Sequence, residues 1–292
     1  MFSVSFRRAV IALALIAAPT VGLAAAKEAP PPPFNQVGDA VPGHGTVTWF
    51  DLIRQAVPDL ATDAASDKAT GHLTKPPRHL AGADYLAEAP DPVEVGLIES
   101  QRIKAGGRSR LLVLFDLGQA QDNVASYTVL ALFDDAPTPR LLDMVDVGLD
   151  RDTSFSEQSR LKLGPGDDGF VTYSEHFNTS AAYGGWVVGF VRGDKLKLAF
   201  SLFGLNTREC GWQRTETPTF TGRSVKGRSL GDIDLVVREQ RTQDLEPHCD
   251  SRPPRPFVRT WRATYRWDAA KGRFVTDSKA LEQLAKRDEG RR

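Results

Sequence analysis

Residues 167–203 read DDGFVTYSEHFNTSAAYGGWVVGFVRGDKLKLAFSLF, and this stretch predicts three β-strands joined by two turns. In residues 195–202 apolar and polar side chains alternate, which is typical of a strand with one buried face and one wet face. Residues 186–191 are apolar throughout, and the turn at 193–194 joins the two runs into a predicted antiparallel hairpin. Residues 176–185 contain polar side chains and two glycines, so they are predicted to be a surface loop.

Similar strand patterns recur along much of the chain. Residues 111–115 and 129–133 are apolar on both faces, so their sheet must be covered on both sides. Short helices are predicted near both ends, within residues 46–60 and 278–287. The sequence therefore predicts a mainly β, antiparallel protein, arranged as a two-layer sandwich or as an irregular, propeller-like fold. Further strands are predicted at 93–103, 109–117, 127–133, 141–147, 233–237, 258–267 and 273–276.

The first 26 residues have the features of a secretory signal peptide. Arg7 and Arg8 supply positive charge, residues 9–18 form an apolar run too short to span a bilayer, and residues 24–26 are small, as at a cleavage site. No later stretch is apolar enough for a transmembrane helix. The mature protein is therefore expected to be periplasmic or secreted.

Three further segments are predicted after the signal peptide. Residues 27–45 contain four consecutive prolines and three glycines and are predicted to be a stiff tether. Residues 46–292 are predicted to form a single mainly β domain, because mainly β chains of this length commonly fold as one domain. Within it, residues 61–92 show no periodicity and are predicted to be a long irregular loop, whose role the sequence does not define.

The cysteine content fits an exported protein. Cys210 and Cys249 are the only cysteines, and in an oxidising compartment they are predicted to form one disulfide. Two buried free thiols are the alternative. A zinc site is disfavoured because isolated cysteines lack the paired spacing of zinc ligands. No metal or cofactor is predicted.

Charge is balanced over the whole chain but unevenly distributed. The sequence has 37 basic and 37 acidic residues. Residues 27–207 contain 16 basic and 24 acidic side chains, whereas residues 208–292 contain 19 basic and 13 acidic ones. The second part is a candidate anion-facing surface, but it lacks the dense basic run of a nucleic-acid-binding protein, so nucleic acid is not an expected partner.

The strand predicted at 258–267 provides the first candidate binding surface. Its alternation places Trp261 and Trp267 on one face and Arg262 and Arg266 on the other. The arginines could bind a phosphate or carboxylate, and the aromatic rings could stack on sugar rings or on a protein partner. The other interpretation places the aromatic rings in the core and the arginines on a solvated face.

Two further polar groups are candidates for chemistry. Glu175 and His176 pair a carboxylate with an imidazole, but neighbouring strand residues point to opposite faces. The aspartates within residues 143–152 are rich in oxygen ligands, but their spacing differs from that of a calcium-binding loop. The sequence contains no Gly-x-Ser-x-Gly, His-Glu-x-x-His, phosphate-binding glycine loop or dinucleotide fingerprint.

These observations favour an exported, non-catalytic binding or interaction protein of the cell envelope. Its β-sheet surface is expected to bind a glycan, an anionic ligand or a protein partner. One alternative is a periplasmic hydrolase acting on envelope polymers, with Glu175, His176 or an aspartate of residues 143–152 as its acid or base. The other is a structural subunit of an envelope assembly.

Overall fold

A computed structural model of the chain describes residues 36–63, 68–177, 181–243 and 254–289. Every pair among the strands that they form is antiparallel, which confirms the predicted mainly β, antiparallel class. The predicted signal peptide and residues 27–35 of the predicted tether lie outside the described residues. No helix in the described part of the chain is long and apolar enough to cross a membrane.

The described elements follow one another with short connections. The helices are α1 (Trp49–Ile53) and α2 (Ala280–Glu289), with one turn of 3₁₀ helix at Ala83–Tyr85. The strands are β1 (Ala61–Asp63), β2 (Lys68–Gly71), β3 (Val93–Val95), β4 (Ile98–Ala105), β5 (Arg108–Gln119), β6 (Ser126–Asp134), β7 (Leu141–Asp146), β8 (Thr153–Lys162), β9 (Asp168–Phe177), β10 (Ala181–Arg192), β11 (Lys195–Glu209), β12 (Trp212–Arg223), β13 (Asp232–Gln243), β14 (Phe257–Asp268) and β15 (Arg273–Val275).

The strands form three sheets, each a meander in which neighbours in sequence are neighbours in space. Strands β1 to β3 form a small sheet, β4 to β7 a four-stranded sheet, and β8 to β15 an eight-stranded sheet. Two of the tight turns have the positive φ angles of a type I′ hairpin: 57° and 76° at Gly106 and Gly107, and 58° and 53° at Gly193 and Asp194. Both turns were predicted from the sequence and are confirmed.

The four-stranded sheet is buried on both faces. One face of β5 and β6 packs against α1 and β3, and the other packs against β9, β10 and β11 of the eight-stranded sheet. The prediction that this sheet needs cover on both sides is therefore confirmed. The side chains on the first face are Leu111, Val113, Phe115, Val129, Ala131 and Phe133; those on the second are Leu112, Leu114, Leu130 and Leu132.

The N-terminal cover is held by α1, which begins at a capping box. The Thr48 hydroxyl accepts the amide of Asp51, and the Asp51 carboxylate accepts the amide of Thr48. The helix ends earlier than the predicted segment 46–60, at Ile53. The described part of the predicted tether, residues 36–45, is folded against the core, because Val41 is only 2% exposed.

Two loop predictions differ from the structure. Residues 61–92 contain β1, β2 and the 3₁₀ turn, which are too short to produce a periodic sequence pattern. Residues 176–185 belong mostly to β9 and β10, with 178–180 outside the described residues. Gly184 was interpreted as a loop residue, but a Cβ atom there would lie 2.6 Å from the Trp186 ring. This glycine makes room for an aromatic ring within the sheet.

One irregularity in β11 divides its apolar side chains between two cores. The sequence alternation places Leu196, Leu198, Phe200 and Leu202 on a single face. A register shift against β10 interrupts the pairing at Ala199, which has no partner residue, as in a β-bulge. Leu196 and Leu198 therefore pack towards the four-stranded sheet, whereas Phe200 and Leu202 pack into a second core enclosed by the eight-stranded sheet.

The eight-stranded sheet curls around this second core. The amide of Gly231, before β13, donates to the Leu163 carbonyl, after β8, at 2.7 Å. Inside the curl, the rings of Phe200 and Tyr265 stack with their centroids 3.7 Å apart. Helix α2 packs against this core through Leu284, which is 3% exposed, as the predicted apolar face of residues 278–287 requires.

A buried charge network ties this helix to the strands. The Glu239 side chain is fully buried, and it accepts hydrogen bonds from Arg214 at 3.0 Å, Arg287 at 3.1 Å and the indole of Trp261 at 3.0 Å. Arg214, which is also buried, forms a second ion pair with Glu216. The network joins β12, β13, β14 and α2 inside the curled sheet.

Cys210 lies in the exposed turn between β11 and β12. No cysteine in the described part of the chain is free. The partner predicted for Cys210, Cys249, lies outside the described residues, so their pairing stays a prediction.

Replacing Glu239 with glutamine should destabilise the protein strongly. The variant leaves Arg214 and Arg287 facing a neutral group in the interior, and breaking a buried ion pair in this way costs about 3 kcal/mol or more. We expect a correspondingly lower free energy of unfolding in urea titrations. Asp277→Asn is the control, because Asp277 pairs with Arg266 at the surface and such pairs contribute little. Equal stability of both variants would show that the network is not required for folding.

Candidate functional site

The predicted surface on β14 is divided between the interior and the solvent. Trp267 is 7% exposed and packs in the second core, and the Trp261 indole donates to Glu239. Arg262 and Arg266 lie exposed on the opposite face. A single ligand on this strand therefore cannot contact both the aromatic rings and the arginines. Binding of an anion by the two arginines stays a prediction.

The structure brings together two other candidates that the sequence left apart. His176 at the end of β9 meets Asp150, which follows β7, with 3.1 Å between the imidazole Nδ1 and the carboxylate. Both side chains are about three-quarters buried. The neighbouring Glu175 does not join them and accepts a hydrogen bond from the Tyr173 hydroxyl at 3.2 Å. The pairing of Glu175 with His176 fails for the reason anticipated, because adjacent strand residues point to opposite faces.

His176 and Asp150 lie in an open cavity of about 350 Å³, which we call the aromatic groove. Its walls come from three connections at the same end of the sheets: residues 84–87, 123–125 and 148–150. Phe203 of β11 borders the groove through its contact with Tyr85.

Exposed aromatic and aliphatic side chains give the groove its name. The rings of Tyr85 and Phe203 stack with centroids 5.8 Å apart, although the two side chains remain 37% and 49% exposed. Tyr183 lies 6.3 Å from the His176 ring, and Leu86 is 54% exposed. A glycine makes this arrangement possible, since a Cβ atom at Gly185 would lie 2.9 Å from Leu149 and 3.4 Å from Phe203.

A buried histidine supports the floor of the groove. The His79 Nε2 donates to the Gly148 carbonyl at 3.0 Å, and its Nδ1 accepts the amide of Ala81 at 3.1 Å. These two bonds fit the neutral imidazole with its proton on Nε2. Burial also lowers the pKa of His79, which favours the same neutral form. Its ring contacts Tyr85, so the floor and the aromatic wall are connected.

Asp146 lies beneath the same loop. It is 1% exposed, and its Oδ1 accepts the amide of Gly148 at 2.9 Å. Burial raises the pKa of the Asp146 carboxyl to about 7. The pKa of the Tyr127 hydroxyl is also raised, mainly by burial and to a smaller extent by the negative charge of Asp146. The Asp146 Oδ2 and the Tyr127 hydroxyl make no hydrogen bond within the described structure. A protonated Asp146 is thus the form that this interior favours.

The other aspartates of residues 143–152 are dispersed. Asp143 forms ion pairs with Arg78 at 3.3 Å and Lys195 at 3.1 Å. Asp150 pairs with His176, and Asp146 is buried. Across residues 36–289, excluding the undescribed segments, no group of three or more His, Cys, Asp or Glu side chains is placed to hold a metal ion.

Sequence reasoning missed the aromatic part of the groove. Tyr85 falls in a segment without periodicity, and its contact with Phe203 spans more than a hundred residues. One local signal was present: in the sequence, Phe203 continues the polar phase of residues 195–202, which is an unusual position for an aromatic ring. Comparison with protein-family models, curated proteins and solved structures gave no match.

Asp146→Asn should change how stability depends on pH. The folded carboxyl, with its raised pKa, keeps its proton up to about pH 7, whereas the unfolded one loses it near its ordinary value of 3.8. The free energy of unfolding should therefore fall as pH rises from about 4 to 7, by roughly 4 kcal/mol in total. The asparagine variant should lack this loss, so its stability relative to the parent should rise over that range.

Urea unfolding at several pH values measures this difference. Asp84→Asn removes an exposed carboxylate at the groove and should leave the profile of the parent unchanged. A constant difference between Asp146→Asn and the parent from pH 4 to 8 would contradict the raised pKa.

Proposed function

We propose that this protein is an exported, non-catalytic binding protein of the cell envelope and that its ligand is a glycan held in the aromatic groove. The observation that carries the proposal is the position of the stacked, exposed Tyr85 and Phe203 rings beside the Asp150–His176 pair. The signal-peptide pattern of residues 1–26 and the two cysteines support export.

The groove combines aromatic surface with polar atoms, and a sugar ring can bind to both. The C–H faces of a sugar pack on aromatic rings, and its hydroxyl groups need hydrogen-bond donors and acceptors around the edge. Tyr85 and Phe203 offer ring surface, while Asp150, Asp84 and the His176 Nε2 offer polar atoms. A contiguous exposed aromatic patch with polar neighbours is typical of a binding surface.

The charge of the groove narrows the class of glycan. Asp84 and Asp150 place two carboxylates in its walls, and none of the described residues that line it is a lysine or an arginine. A polyanionic glycan would be repelled by these groups. The proposal is therefore for a neutral sugar or an amino sugar.

Alanine substitutions at Tyr85 and Phe203 should each weaken glycan binding about ten-fold, or roughly 1.4 kcal/mol. Calorimetry with soluble fragments of envelope polysaccharides, first ranked by thermal shift, measures the effect. Phe177→Ala is the matched control, because Phe177 is 62% exposed but lies next to His176 on the opposite face of β9. If Phe177→Ala weakens binding as much as Tyr85→Ala, the groove is not the site.

A hydrolase is the second candidate, favoured by the geometry of the same pair. Asp150 contacts the imidazole Nδ1 of His176, so the Nε2 is left to face a substrate or water. This is the arrangement in which a carboxylate orients a histidine for general base catalysis. The nucleophile would be water, since none of the serine or metal hydrolase motifs is present.

The variant His176→Gln separates the two functions. For a hydrolase, it should reduce turnover of a glycan, ester or peptide substrate by at least 100-fold while the melting temperature stays unchanged. For a binding protein, the parent itself should show no turnover, and the variant should retain most of its affinity, because the glutamine amide can replace the hydrogen bond of the His176 Nε2. Measured turnover by the parent would overturn the non-catalytic proposal.

A further inference from the structure

A second cavity lies at the other end of the strands that form the aromatic groove. In β10, Tyr183 lies near the groove and Arg192 is the last residue of the strand. The two residues are ~30 Å apart, given the rise per residue of an extended strand. There the turns after β4 and β10 and the loop before β13 enclose a cavity of about 300 Å³. We call it the arginine cavity, because Arg108, Arg110 and Arg192 line it.

Arg110 is the buried member of the three. On β5 it shares the face of Leu112 and Leu114, which packs towards the eight-stranded sheet, and its side chain is only 8% exposed. Its Nε and Nη2 donate to one oxygen of Asp194 at 3.1 Å and 2.6 Å, and its Nη1 donates to the Ser109 carbonyl. A guanidinium has five N–H donors, so Arg110 keeps capacity for a further acceptor.

The other two arginines, Arg108 and Arg192, are exposed. Within the described residues, no acidic side chain lies within 4 Å of the charged group of Arg108 or Arg192. The Arg192 guanidinium instead lies 4.7 Å from the centre of the Trp267 ring, which restrains its position. Two carboxylates, Asp167 and Asp194, line the same cavity, so the three arginines leave an excess positive charge.

We propose that the arginine cavity binds a phosphate ester group. The two coplanar oxygens of a carboxylate can both be bound by one guanidinium group. A phosphate group has oxygens that point in several directions, so it is suited to arginines that approach from different strands. Arg108 comes from β5 and Arg192 from β10, with the partly desolvated Arg110 between the two sheets. Ser229 also lines the cavity, and its hydroxyl is a candidate for a further donor.

The role of Asp194 gives the proposal its sharpest consequence. Its carboxylate accepts hydrogen bonds from two donors of Arg110, lines the cavity and is 48% exposed, in the β10–β11 turn. It therefore competes with an incoming anion for the same guanidinium. Removing its charge should increase the affinity for phosphate, an effect that a merely structural ion pair would not produce.

Calorimetric titration of the full chain with glycerol 3-phosphate at low ionic strength tests the proposal, with glycerol as the uncharged probe. We expect saturable binding of the phosphate ester alone, weakening as sodium chloride is added. Arg108→Gln and Arg192→Gln should each weaken it about ten-fold. Arg54→Gln is the matched control, because Arg54 is also exposed but lies at the C-terminal end of α1 and does not line the cavity.

A phosphate ester can come from a small molecule or from a lipid headgroup. Sedimentation with phosphatidylcholine vesicles, with and without phosphatidic acid, distinguishes these sources. Binding to the acidic vesicles but not to glycerol 3-phosphate would assign the cavity to a lipid headgroup, provided that Arg108→Gln abolishes it. Binding of neither probe would overturn the proposal.

The Asp194→Asn variant provides the decisive comparison. It should bind glycerol 3-phosphate several-fold more tightly than the parent, while melting temperatures show that both are folded. Unchanged or weaker binding in Asp194→Asn, or equal weakening by Arg54→Gln, would also overturn the proposal. Tyr85→Ala should leave phosphate binding unchanged, so failure of the glycan proposal and failure of this one are distinguishable.

Discussion

The apolar character of both faces of the four-stranded sheet is the constraint on which the rest of the structure depends. Such a sheet has no wet face, and each Å² of apolar surface left in water costs about 25 cal/mol. The chain before it, with α1 and β3, covers one face, and β9 to β11 cover the other. The order of layers thus follows the order of the sequence, and every connection can be short.

The eight-stranded sheet meets a different requirement, since only part of it can pack against the four-stranded sheet. The bulge at Ala199 turns the apolar side chains of β11 from one core to the other, and the strands beyond it curl around the second core. Inside that curl the Glu239 network places charged groups where burial is most costly. Each of its charges has an opposite partner, which limits the desolvation penalty and fixes α2 against β13 and β14.

Local patterns were sufficient to predict most strands and the tight turns, because alternation and glycine pairs act over a few residues. They failed where a distant contact determines the conformation. Gly184 was predicted as a loop residue, but it lies in a strand where a side chain would collide with the Trp186 ring. The division of the β11 side chains between two cores depends on the register of β11 against β10. The candidate site shows the same limit. His176 and Asp150 were both noticed, but only the fold makes them partners, and Tyr85 gave no signal at all.

Both candidate sites lie at the ends of the strands, for a physical reason. In the middle of β5, β6 and β10 nearly every side chain is enclosed between layers, so a polar group there would lose its water without gaining a ligand. At the strand ends the same faces open to solvent, and residues such as His176 and Arg110 can be largely buried and still border a cavity. The two ends have opposite charge: carboxylates at the aromatic groove and arginines at the other cavity. If both proposals hold, the sheet between the two ends separates the proposed sugar site from the proposed phosphate site, and this separation would let one chain accept two ligands whose charges would conflict in a single pocket.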